Sequence, residues 1–254
     1  MDYEKELMRL QPVIDRLRRI SLLGKKVVVS GEDHFVKSGP NIMVGNHVGS
    51  FKDIAVLFKI TPRFLFFTAN RMIFNRKDFN SLIRNYFNYN LKEFGLFLDL
   101  LLKPWKAPLV DYISRNISRI GTVPVDIYSK KKSAIGYCED RLRENRVVVL
   151  LQGWGKLKTP SSNPYMIAFK RGPAVICYNL MQEGLEVPVT PVAMFGTHWP
   201  VFVPCTIQVK VGAPMTIKKH MSAVPAKTIA SFRQAMEDRV RDMLLEAIRE
   251  KYQS

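Results

Sequence analysis

The chain has 254 residues with 39 Lys and Arg against 22 Asp and Glu, a formal charge of +17, and is 47% hydrophobic and 24% charged. These proportions exclude a disordered, collagen-like or low-complexity chain and suit a protein long enough to enclose a core. Three scattered cysteines, Cys138, Cys177 and Cys205, without a C-x-x-C spacing, exclude a disulfide framework or zinc ribbon and point to a reducing compartment.

Residues 1–6, Met-Asp-Tyr-Glu-Lys-Glu, are acidic where a secretory signal would be basic and then apolar, so no export is expected. Residues 4–23 place Leu7, Leu10, Ile14, Leu17 and Ile20 on a helical period with Arg9, Arg16, Arg18 and Arg19 largely on other faces, predicting a basic amphipathic helix over 1–24. Strands are predicted at 25–29 and 40–45, then a helix from Ser50, whose N-cap role would be completed by Asp53, to Ile60. A strand at 63–67 precedes a long helical stretch over 72–118 that Pro104 and Pro108 should break. Next come strand 122–125, helix 132–144, strands 147–151, 174–178, 187–194 and 206–211, and a closing helix over 226–252. Strands alternating with helices predict an α/β fold, a mixed and mostly parallel sheet flanked by helices, occupying 25–254 as one domain behind the N-terminal helix. The longest apolar runs, at 94–102 and 192–203, are interrupted by Asp99 and His198 and fall short of the roughly 18 to 20 residues that cross a bilayer.

Among four histidines, His47 alone sits just past a predicted strand, where sites of α/β sheets gather. Asp53 follows six residues later. A carboxylate beside an imidazole fixes its tautomer and lets it take a proton from a hydroxyl. On one helix the two would point about 120° apart, so His47 must lie off the helix, with Gly49 supplying a left-handed turn. Alternatively Asp53 serves only a capping box with Ser50, and His47 bonds a loop carbonyl.

At this point the chain resembles the glycerolipid (1-acylglycerol-3-phosphate) acyltransferase family. The family's Asn-His-x-Ser-x-x-Asp is similar to residues 46–53, Asn-His-Val-Gly-Ser-Phe-Lys-Asp, with one residue inserted before the serine. A second motif is echoed at 121–126, a third at Gln152-Gly153-Trp154-Gly155 with the downstream 169–172, and a fourth in the Pro-Val strand at 187–192, followed by Gly212-Ala213-Pro214. The order and spacing agree over about residues 25–250. The resemblance implies transfer of an acyl group from acyl-CoA or acyl carrier protein to the hydroxyl of a lysophospholipid or related lyso-lipid. It implies His47 as general base, Asp53 as its orienting partner, and Asn46, Ser50, Gln152, Gly153, Lys156 and Arg171 as substrate-binding residues. No metal, cofactor or covalent enzyme intermediate is implied.

The departures bear on the acceptor. Gln152 replaces the third motif's glutamate, and Gly155 and Ile127 stand where the family has arginines thought to hold a phosphate. Lys156, Lys158, Arg171 or Lys130–Lys132 are the candidate replacements, and the head group need not be a simple phosphate monoester. The same departures leave open a catalytically degenerate member that binds lipid. The positive surplus and the Trp- and Lys-flanked stretch 85–109 lead to an expected peripheral site on the cytoplasmic face of an anionic membrane. No nucleic-acid motif accompanies the charge, so a nucleic-acid partner is not expected.

Overall fold

The computed structural model describes residues 3–49, 51–91, 93–119, 122–125, 133–153, 164–200 and 203–253. In chain order the elements are α1 (Tyr3–Ser21), β1 (Lys25–Ser30), β2 (Asn41–His47), α2 (Phe51–Ile60), β3 (Leu65–Asn70), α3 (Arg76–Leu91), α4 (Glu93–Leu101), α5 (Lys103–Asn116), β4 (Val123–Val125), α6 (Ser133–Arg143), β5 (Val147–Gly153), α7 (Gly172–Gln182), β6 (Val189–Phe195), β7 (Cys205–Val211) and α8 (Pro225–Gln253). They divide between two compact units, Met1–Leu10 with Phe67–Ala134 and Gln11–Phe66 with Ile135–Ser254.

The larger unit is built on strands in the order β1-β7-β6-β2-β5. An interior strand, β2, runs parallel to β5 from Asn41↔Val147 to His47↔Gly153 and parallel to β6 from Ile42↔Val189 to Gly45↔Val192. β1 is parallel to β7, and the antiparallel pair β6 and β7 makes the sheet mixed. Residues 41–46 of β2 and all of β6 are buried, the near-continuous apolar pattern of strands covered on both faces. α8 supplies Phe232, Met236, Val240, Met243 and Leu244 to the core, a stripe at helical spacing, and α2 adds Ala55, Val56 and Leu57. The expected mixed, mostly parallel α/β architecture with an N-terminal helix is therefore present. On α1, Met8, Leu17 and Ile20 are exposed.

Two local expectations are corrected. The run 174–178, expected as a strand, lies within α7, because Pro173 occupies a helix-starting position. There, Pro173, Ala174, Ile176, Cys177 and Leu180 bury one face at helical intervals. Pro104 does stand at the start of α5, but Pro108 lies inside that helix rather than ending it.

In the smaller unit the end of β3 pairs parallel with β4, Thr68↔Val123 to Asn70↔Val125. α3, α4 and α5 pack on one another. Among the described residues no helix is long and apolar enough to cross a membrane.

Candidate active site

β2 ends at His47, and the chain turns at once into α2, whose first turn carries Asp53. This turn folds the carboxylate back over the strand end. His47 Nδ1 lies 2.7 Å from Asp53 Oδ2, and since a carboxylate only accepts, Nδ1 donates, which in the neutral ring leaves the lone pair on Nε2. The backbone N–H of Gly49 donates to the same Oδ2 at 2.8 Å. Asp53 is completely buried, whereas the His47 side chain keeps 31% exposure. An acid in the first turn of a helix also meets the positive end of the helix dipole. A buried anion is thus matched to a half-exposed imidazole, and the inserted residue does not prevent the pairing.

Gly49 does not use a left-handed turn, as expected from the sequence, since its φ is not positive. Its role is steric. A Cβ there would stand 2.4 Å from Thr197 Cβ and 2.7 Å from Asp53 Oδ1. Thr197 is fully buried, and among the described residues its hydroxyl and Asp53 Oδ1 have no hydrogen-bond partner. Gly153 is similarly constrained, because a Cβ would come within 2.8 Å of His47 Cδ2 and 3.0 Å of its carbonyl oxygen. The bare backbone of β5 is the surface against which the imidazole rests.

Asn46 is fully buried with its amide turned inward. Nδ2 donates to the carbonyls of Met194 at 2.8 Å and Tyr165 at 3.1 Å, and Oδ1 accepts from Met194 N–H at 2.9 Å. These bonds continue the pairing of β2 with β6 past the last ladder residues, Gly45 and Val192. Gln152 accepts from Lys170 N–H and donates to the Leu150 carbonyl, bracing the 166–170 segment. Arg171 is exposed just before α7. Ser50 and Lys156 lie outside the described residues, as do 126–132, 154, 155 and 158. Gly212 N–H donates to the Pro191 carbonyl at 2.9 Å, so the fourth motif and the Gly-x-Pro segment meet within the fold.

The loop after β6 was not singled out by the sequence. Lys52, buried beside Asp53, donates to the Trp199 carbonyl at 2.6 Å. Lys25, at the head of β1, donates to the carbonyls of Pro200, at 2.7 Å, and Val203. Burial and the neighbouring Lys25 push the Lys52 ammonium below its ordinary value, against the pull of Asp53. His198, stacked among Tyr165, Phe195 and Trp199, is held below the usual imidazole value by burial and then by Lys251 and Lys52. No lysine in a sequence announces that its partner will be a distant carbonyl.

No protein-family model matches the chain, and no curated protein matches it. Among solved structures, the 1-acyl-sn-glycerophosphate (LPA) acyltransferase PlsC from Thermotoga maritima is similar, with 18% identity over 97% of this chain and 83% of that one, at a TM-score of 0.57. At this identity the likeness is one of fold.

Proposed function

We propose that the chain is an O-acyltransferase that moves an acyl group from a thioester donor, acyl-CoA or acyl carrier protein, to the hydroxyl of a lysophospholipid or related lyso-lipid. The observation that carries this reading is the 2.7 Å contact between a buried carboxylate and a half-exposed imidazole at the end of an interior strand. The shared fold with a 1-acyl-sn-glycerophosphate acyltransferase supports it.

In this reading His47 Nε2 accepts the proton of the acceptor hydroxyl as its oxygen attacks the thioester carbonyl carbon. Asp53 holds the Nδ1 proton in place and balances the imidazolium. Collapse of the tetrahedral intermediate breaks the carbon–sulfur bond, and the leaving thiolate takes the proton from Nε2. Products are an ester and a free thiol, with every proton accounted for and no covalent bond to the enzyme.

Supplying palmitoyl-CoA and palmitoyl-acyl carrier protein against a panel of lyso-lipids, with products read by mass spectrometry, tests the reading. An acylated lyso-lipid formed only when donor and acceptor are both present is the expected result. Absence of ester product from every pair contradicts it.

A further inference from the structure

The smaller unit contains two successive helices, α4 and α5, whose polarity is reversed. On α4, Leu96, Phe97, Leu100 and Leu101 are each more than half exposed, and on α5 Trp105 is 79% exposed and Leu109 47%. The charge in the middle of α4, Asp99, is instead only 8% exposed. It is held between Arg84 of α3, at 3.4 Å, and Lys106 of α5. Burial works to raise its carboxyl, but the hydrogen bonds from Lys106 and Arg84 outweigh this and hold it below its ordinary value. An ionic lock inside and leucines outside is the inverse of a helix packed on a water-facing core.

Along α5 the polarity is graded. Trp105, Leu109, Tyr112 and Asn116 follow one another at intervals of three and four residues, one stripe of α5, and Arg119 lies just past its end. Pro108, Asp111, Tyr112, Arg115, Asn116 and Arg119 line a groove at its far end. The surface thus passes from indole and leucine, through a tyrosine, to the groove's two guanidiniums, Arg115 and Arg119. Leu109 and Arg115 are about 9 Å apart along the axis at 1.5 Å per residue, comparable with the depth to which an interfacial helix buries its apolar face. A protein partner would favour an apolar centre ringed by a polar rim. A gradient along one axis fits a bilayer, with its acyl, interfacial and phosphate layers. Residues 67–134 carry twelve Lys and Arg against five Asp and Glu, the sign that an anionic leaflet attracts.

We propose that the α4–α5 helix pair seats the protein on anionic phospholipid bilayers, with Leu96, Phe97, Leu100, Leu101, Trp105 and Leu109 entering the acyl-chain boundary and Arg115 and Arg119 receiving lipid phosphates. The proposal does not rest on the catalytic reading, and its test needs neither donor nor acceptor. The full chain is floated with phosphatidylcholine vesicles with and without 30 mol% phosphatidylglycerol, beside Leu101→Glu/Trp105→Glu and Arg115→Gln/Arg119→Gln. The native chain should float with the anionic vesicles, the first variant should lose at least tenfold in partitioning, and the second should lose several-fold with a weaker salt dependence. Vesicles with brominated acyl chains should quench native tryptophan fluorescence and quench Trp105→Phe much less. Circular dichroism confirms that each exposed-surface variant is folded. Equal flotation of native chain and variants, or a native dimer dissolved by Leu101→Glu/Trp105→Glu with no vesicle binding, overturns the proposal.

Discussion

At the scale of single residues, two glycines shape the candidate dyad by what they lack. Gly153 leaves room for the imidazole, so Gly153→Ala should displace His47, lower acyl transfer by at least tenfold and cost about 1 to 3 kcal/mol of stability as an overpacked contact. Parallel turnover assays and thermal melts check this, and unaltered turnover would show that the ring does not depend on the bare strand. The sequence marked Gly49 as special but gave the wrong reason, because the same letter serves a positive φ and an absent Cβ. Only the fold, by placing Thr197 against it, separates the two. His198 offers a pH signature. Its folded value lies below the ordinary 6.5, so the unfolded chain binds this proton more readily, and the stability from the neutral ring is full above about pH 6.5 and declines as pH falls. His198→Gln should therefore lose less melting temperature than the native chain between pH 7.5 and 5.5. Equal losses would remove His198 from the acid response.

At the scale of elements, β2 is joined to β6 by ladder bonds and then by one side chain. Asn46→Ala leaves the Met194 N–H and carbonyl without their buried partner and should cost about 3 kcal/mol, from roughly 1 to 3 kcal/mol per orphaned group. Denaturant unfolding measures it, and a cost below 1 kcal/mol would mean that the strands hold without the staple. The periods of β2, β6 and α8 were legible because their residues are buried in the pattern that their geometry requires. α7 was misread because Ala-Val-Ile-Cys-Tyr is apolar without a break, and such a short run does not distinguish a buried strand from a buried helix. The pairing of His47 with Asp53 at the turn from β2 into α2 was legible, since a histidine after a strand and an acid in the next helix's first turn have few other reasons to be that close. The loop clamped by Lys25 and Lys52 was not, because contacts across 147 to 178 residues of chain leave no local pattern.

For the whole molecule, a fold shared with an acyltransferase at 18% identity coexists with a dyad spaced by one additional residue. The order of weak motifs along the chain carried more information than any one of them, because in the larger unit the strands of the first, third and fourth motifs, β2, β5 and β6, lie side by side while the intervening lengths are free. Asn46 and Gln152, both expected as binding residues, have their amides engaged within the protein. The charge of +17 pointed to an anionic partner, and the inverted polarity of α4 and α5, within the stretch 85–109 marked by the sequence, is the surface proposed for it. The central claim is that His47, held by Asp53, takes the acceptor's proton. Acceptor-dependent thiol release from palmitoyl-CoA or palmitoyl-acyl carrier protein, followed for the native chain, His47→Ala and Asp53→Asn with folding verified for each, tests it most directly. Release should fall by at least a thousandfold in His47→Ala and by a smaller but large factor in Asp53→Asn. Release unchanged by His47→Ala, or no acceptor-dependent release by the native chain, would contradict it.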